Sequence, residues 1–186
     1  MLKKAFLDID TQNDFVIPEG KLYVDGAVKL IPGLARMAYF IGENNLKVLG
    51  SYDWHIEDDI EFAVFPKHCI RMTQGSMPVI DVDGDCPLYF EKATYDIFSN
   101  PDAEKALMET AMEYIVYGVA LDICVKAAIE GLLERKKEVS LIVDLTEAVD
   151  KAKGHELVKE WQGKGVKMRF LEDVLKMDVD KLKEVV

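Results

Sequence analysis

Cys124 stands in Gly118-Val119-Ala120-Leu121-Asp122-Ile123-Cys124-Val125, where an apolar run gives way to helical periodicity. That places its thiol in a first helical turn. Unpaired N–H groups and the positive end of the helix dipole favour a thiolate there. The same N–H groups could face the oxyanion of an attacked carbonyl. The other reading of Cys124 is a buried core thiol. A cysteine nucleophile needs a proton acceptor. The chain has only three histidines, His55, His68 and His155.

His55 belongs to Asp53-Trp54-His55 and His68 to Phe65-Pro66-Lys67-His68-Cys69. An Asp-x-His pair with a later His suits Zn²⁺ or Fe²⁺, with positions left open for water and substrate. A solvated, hydrogen-bonded turn is the other reading. Cys69 is a poor fourth ligand, because adjacent His and Cys rarely both reach one metal. If both histidines bind metal, the base must be a carboxylate. Asp10 is the candidate, with Asp8, Gln12 and Asp14 beside it. Side chains alternate along a strand, so Asp8 and Asp10 are expected on one face. Lys92, in Phe90-Glu91-Lys92-Ala93-Thr94, is either a fixed positive charge beside carboxylate and thiol or a surface lysine paired with Glu91. His155 is expected on a late loop, uninvolved.

These residues gather only if the fold brings them together. Short apolar runs at Lys4–Asp10, Lys47–Ser51, Leu88–Glu91, Tyr114–Val119, Val139–Asp144 and Val166–Phe170 read as strands. Helical periodicity marks Asp25–Glu43, Asp122–Arg135 and Glu156–Lys164, and a short helix is expected over Asp178–Val186. Asn100-Pro101-Asp102-Ala103-Glu104 is a helix start, with a cap, a first-turn proline and first-turn acids. Tyr52 to Pro87 has little periodicity, and so long a loop is usually functional. Alternating strands and helices imply an α/β fold of three layers, α/β/α, around a mainly parallel sheet. Ligands of such sheets bind at the carboxyl ends of the strands. Asp10, Asp53, His55, Lys92 and Cys124 all fall there.

Composition narrows the function. The 186 residues suit one domain, 1–186. Lys plus Arg is 23 against 34 Asp plus Glu, a net charge of −11. Such a surface argues against nucleic acid and against an anionic membrane face. No secretion signal and no membrane-length apolar run is visible. Three cysteines are not a disulfide framework, so a reducing cytoplasm is the expected compartment.

Four segments together resemble the isochorismatase-like cysteine hydrolases, and within them the nicotinamidases. Asp8-Ile9-Asp10-Thr11-Gln12-Asn13-Asp14-Phe15 resembles the family's D-x-Q-x-D-F motif. Asp53-Trp54-His55 with Phe65-Pro66-Lys67-His68-Cys69 resembles the D-W-H and P-x-H-C segments, Lys92-Ala93-Thr94 the lysine motif, and Gly118 to Val125 the nucleophile segment. The resemblance implies an Asp10–Lys92–Cys124 triad that forms and hydrolyses a thioester. It implies an oxyanion hole from the N–H groups of Ala120 and Cys124, with a cis peptide before Ala120. Asp53, His55 and His68 match the ligands of one divalent metal, Zn or Fe/Mn, and Phe15 and Phe65 match ring-pocket positions. The ligand set favours nicotinamide over isochorismate. A different small amide, ureide or vinyl ether is the alternative, and a silent binding domain a third. A small-molecule amide substrate and a homo-oligomer are the expected partners. Phe65 stands where tryptophan is common, Leu121 where threonine is usual, and Tyr95 to Pro101 is shorter than in typical nicotinamidases.

Overall fold

Six stretches rich in branched and aromatic residues extend as strands, because such side chains suit a pleated, buried surface. They are β1 (Leu2–Ile9), β2 (Val48–Asp53), β3 (Leu88–Lys92), β4 (Ala111–Val119), β5 (Glu138–Glu147) and β6 (Lys167–Arg169). The computed structural model describes residues 1–186 and joins these strands in one sheet, ordered β3-β2-β1-β4-β5-β6. Every pairing is parallel. From β1 the chain builds outward through β2 to β3, then returns to β4 and builds the other way. The reversal lies between β1 and β4, and a crevice opens there at the strand ends.

The helices are α1 (Asn13–Val16), α2 (Ile31–Glu43), α3 (Pro101–Thr110), α4 (Cys124–Glu134), α5 (Lys151–Gly163), α6 (Leu171–Val174) and α7 (Val179–Leu182). They cover both faces. Leu107, Ile129, Leu132 and Trp161 from α3, α4 and α5 pack on Leu7, Ile9, Leu49 and Val116 of one face. Leu34, Met37, Ile41, Val174 and Leu182 pack on Phe6, Val48, Ile115 and Tyr117 of the other. The three-layer α/β/α expectation holds.

The ends of elements show where tertiary context overrides pattern. Asn100 caps α3 as expected, accepting from the amides of Asp102 and Ala103. Helix α5 begins at Lys151, not near Glu156, capped by Asp150 through the amides of Ala152 and Lys153. Its first turns look polar because Gly154 is the buried residue there, and a Cβ at Gly154 would lie 2.8 Å from Ala148 Cβ. His155 therefore sits on a helix rather than a loop. The C-terminal stretch is helical only over Val179–Leu182; beyond it Val185 forms an antiparallel bridge to Leu2. Strand β5 runs to Glu147 because a register shift against β4 absorbs extra residues. Between β2 and β3 lie only two short 3-10 turns, Ile60–Ala63 and Gln74–Ser76. No helix is long and apolar enough to cross a membrane.

Candidate active site

Asp10 follows directly on β1 and takes a left-handed backbone, φ 51°. That turn undoes the strand alternation. Asp8 lies on the Phe6 face, where it accepts hydrogen bonds from Tyr89 Oη at 2.9 Å and Thr11 Oγ1 at 3.1 Å. Asp10 points to the opposite face, which Ser51, Asp53 and Lys92 share with Leu49 and Phe90. The expectation that both aspartates share a face is corrected by this one dihedral. Gln12 then clamps the end of β2. It donates to the Asp53 carbonyl at 2.8 Å and accepts the Asp53 N–H at 2.8 Å, as a paired strand would.

Lys92 is the hub of the buried cluster and is 4% exposed. Its Nζ is 2.7 Å from Asp10 Oδ2, 3.2 Å from Asp53 Oδ1 and 3.9 Å from Cys124 Sγ. The surface-lysine reading is therefore excluded. Burial alone would lower the Lys92 pKa, but Asp10, Cys124 and Asp53 outweigh it and hold the ammonium charged. Burial raises the Asp10 carboxyl; Lys92 opposes this without cancelling it. Ser51 Oγ donates to Asp10 Oδ1 at 2.7 Å. Burial also raises the Cys124 thiol, against Lys92 and together with Asp10 and Asp53. That direction runs against the thiolate expected from the helix start. One lysine cannot neutralise two carboxylates and a thiolate as well.

Cys124 is the first residue of α4, so its N–H has no intrahelical partner. The Val119–Ala120 peptide is cis, as the resemblance implies. Gly118 has φ 117°, and a Cβ there would lie 2.1 Å from the Ile9 carbonyl oxygen. Only glycine lets β4 pass that close to β1 just before the thiol. Asp122 ties down the far side of this loop by accepting from the amides of Val149 at 2.9 Å and Asp150 at 3.0 Å.

Asp53, His55 and His68 are all buried, and one ligand atom from each lies within 4.8 Å of the others. Asp53 Oδ2 is 3.0 Å from Nε2 of each histidine. His68 Nδ1 donates to the Pro66 carbonyl at 2.7 Å, and His55 Nδ1 lies 3.0 Å from Asp59 Oδ2. Both rings therefore aim Nε2 at one point. Burial would lower the imidazoles, but Asp53 outweighs it and raises both, His55 to about 9. Burial would raise Asp53, but Lys92 and the two imidazoles hold it well below the carboxylate range. The spot favours positive charge, and its donors fit a divalent metal.

The thiol, Asp53 and His68 line one cavity of about 170 Å³, with His55 buried beside them. Phe15 is buried in its wall, with its ring centroid 5.6 Å from that of His68. Phe65 closes the rim at 41% exposure, 6.4 Å from His68. Sequence reasoning missed Leu22, Tyr23, Glu61 and Val149, which also line it, and left the role of Tyr95, another lining residue, open. Glu61 lies in a short 3-10 turn and the others outside regular elements, where no period marks them. Cys69 is buried and its N–H donates to Asp14 Oδ2 at 2.7 Å, so it belongs to the scaffold rather than the ligand set. His155 lines a separate surface pocket.

The model of the isochorismatase domain matches residues 4–167. The chain belongs to the isochorismatase family. An isochorismatase family protein of Bacillus subtilis, PncA, is 32% identical over 67% of this chain and 75% of its own. The nicotinamidase of Saccharomyces cerevisiae is 24% identical over 78% of this chain and 88% of its own. Among solved structures, the pyrazinamidase of Pyrococcus horikoshii in complex with zinc superposes with a TM-score of 0.82. It is 26% identical and covers 90% of this chain and 99% of its own.

In this isochorismatase-family chain Asp8 is a buried carboxyl on the face away from the thiol. Burial pushes Asp8 up to about 7, against the hydrogen bonds from Tyr89 and Thr11. Asp8 Oδ1 has no partner. An unfolded aspartate titrates near 3.8, so the native state binds the extra proton and loses stability as pH rises from about 4 through about 7. Each pKa unit is ~1.4 kcal/mol, so ionised Asp8 costs the fold on the order of 4 kcal/mol at most. Asp8→Asn should raise the Tm by several degrees at pH 8 and leave it unchanged at pH 4. Calorimetry at the two pH values checks this, and an equal shift at both would refute it. Turnover should change little, since Asp8 faces away from the cavity.

Proposed function

We propose that this protein is a cysteine-dependent amidohydrolase that converts nicotinamide to nicotinate and ammonia. The observation that carries the proposal is a single apolar cavity with two chemical poles. One is the Cys124 thiol beside Asp10 and Lys92; the other is Asp53 and His68, with His55 behind them. A flat ring with an amide at one end and a nitrogen lone pair at the other suits both. Lys92 is engaged by Asp10 and Asp53, and no lysine or arginine lines the cavity. A substrate carboxylate away from the metal group would find no basic side chain and would meet Glu61, which argues against ureido acids and anionic vinyl ethers. The names of the yeast and Pyrococcus relatives support the same reading.

In the proposed mechanism, Cys124 Sγ attacks the amide carbon while its proton passes to Asp10. The oxyanion lies against the N–H groups of Ala120 and Cys124. Asp10 returns the proton to the amide nitrogen, which leaves as ammonia, and a thioester remains. Asp10 then takes a proton from water as the hydroxyl attacks the thioester, and returns it to the departing sulfur. Lys92 stays charged throughout and keeps Asp10 ionised between transfers. Asp53, His55 and His68 would hold the metal, proposed as zinc, with iron(II) or manganese suited to the same donors. When bound, the ion supplies a Lewis-acid anchor for the ring nitrogen. Three free thiols fit a reducing cytoplasm.

The test is ammonia release from nicotinamide, pyrazinamide, benzamide, aliphatic amides and a ureido acid. The two ring-nitrogen amides should be hydrolysed fastest. Benzamide keeps the ring but lacks the nitrogen, so its KM should be higher. Preference for the ureido acid would overturn the substrate assignment, and inertness toward every amide would overturn the reaction.

A further inference from the structure

Asp59 lies between the metal-ligand group and the cavity wall and touches both. Its Oδ2 is 3.0 Å from His55 Nδ1, on the side of the ring away from Asp53. Its Oδ1 accepts the Glu61 N–H at 3.0 Å, capping the 3-10 turn Ile60–Ala63. That turn and its extension carry Glu61 and Phe65 to the cavity. The amides of Val64 and Phe65 both donate to the Glu61 carbonyl at 3.0 Å, so the wall hangs from the capped residue. Little else covers it: Ile60 is 90% and Val64 79% exposed. It is further supported by Phe62, with its centroid 5.3 Å from His55 and 5.7 Å from His68, and by Glu61 Oε2, 3.9 Å from His55 Nε2.

We infer that Asp59 is a positioning residue that couples metal occupancy to the order of the cavity wall over residues 60–65. An imidazole that gives its Nε2 lone pair to a cation becomes a stronger Nδ1–H donor. Nδ1 is otherwise unpartnered, so Asp59 Oδ2, 3.0 Å away, is the acceptor this stronger donor would draw in, and the same carboxylate is then held more firmly as the cap. The coupling is reciprocal, so a ring filling the cavity and steadying Phe65 strengthens retention of the ion. This inference rests on the metal assignment under the proposed function.

Asp59→Asn separates the two roles. One amide oxygen cannot serve both partners, and an amide N–H₂ facing His55 Nδ1 reverses its tautomer. Chelator-stripped protein would be titrated with Zn²⁺ against a chromophoric chelator. Amide hydrogen exchange over residues 60–65 would be followed with and without saturating Zn²⁺. In the wild type, Zn²⁺ should slow exchange across the segment. D59N should bind Zn²⁺ about 10- to 100-fold more weakly, the usual effect of losing a partner behind a metal-binding histidine. Its segment should gain no protection even at saturation. Wild-type zinc affinity in D59N overturns the inference, as does zinc-induced protection that survives there. His68→Ala is the control for the premise: if it binds Zn²⁺ like the wild type, the metal assignment fails rather than the coupling.

Discussion

Cys124→Ala should leave turnover of nicotinamide reduced by on the order of 10⁴-fold or more, the scale seen when a covalent nucleophile is removed. The reason is specific to the site. Asp10 and Lys92 hold each other in a buried pair 2.7 Å apart whether or not the sulfur is present. Neither can attack a carbonyl, since one is engaged as the base and the other is held charged. The fold should tolerate the change, because the lost atom faces the cavity and its removal costs about as much as a single buried methyl, ~1 kcal/mol. Cys69→Ala and Cys86→Ala should keep most activity. Cys69 is sealed beside Asp14, and Cys86 is exposed outside the cavity lining. Steady-state kinetics measures the loss. Intact mass after acid quench identifies the intermediate: the wild type should carry an acyl adduct and the Cys124 variant none. Near-normal turnover in Cys124→Ala would end the covalent mechanism.

Much of this site is legible in the sequence because sheet topology does most of the positioning. Asp10, Asp53, Lys92 and Cys124 lie 114 residues apart at their extremes, from 10 to 124, yet each sits at or just beyond a strand's carboxyl end. Apolar runs locate the strands, and the parallel arrangement brings their ends to one edge. The orientation of Asp10 is not legible, because one left-handed residue reverses what alternation predicts. The direction in which Cys124 is pushed is also hidden. A helix start favours thiolate in isolation, whereas burial, with Asp10 and Asp53 beside it, pushes this thiol the other way. The cis peptide and the N–H of Ala120 have no compositional signal and are implied only by the family resemblance. Asp59 and Glu61 lie in the long segment whose length marked it as functional, but nothing periodic distinguishes them from Glu57 and Asp58.

Asp10→Asn and Lys92→Met should both lower kcat by at least about 10²-fold, the lower range of general-base contributions, and pH distinguishes why. The amide that Asp10→Asn introduces can still accept the Ser51 hydroxyl but cannot take the thiol proton. Its defect should therefore persist at every pH. Lys92→Met acts through Asp10. With the ammonium gone, burial and the charge of Asp53 are opposed only by the Ser51 hydroxyl, and the Asp10 carboxyl rises further. Asp10 then stays protonated at neutral pH and is no base. Raising the pH restores the carboxylate, so Lys92→Met should regain part of its activity on the alkaline side. The acid limb of its pH profile moves upward, in the direction of the raised pKa. The double variant should lose no more than the worse single one, because both changes remove the same proton acceptor. Metal content should stay near wild type in all three, since Asp53, His55 and His68 are untouched. Circular dichroism at each pH guards against unfolding, a real risk when a buried charge loses its partner. If Lys92→Met gained nothing at high pH while remaining folded, its role would be contact with the substrate or sulfur rather than the charge it places beside Asp10.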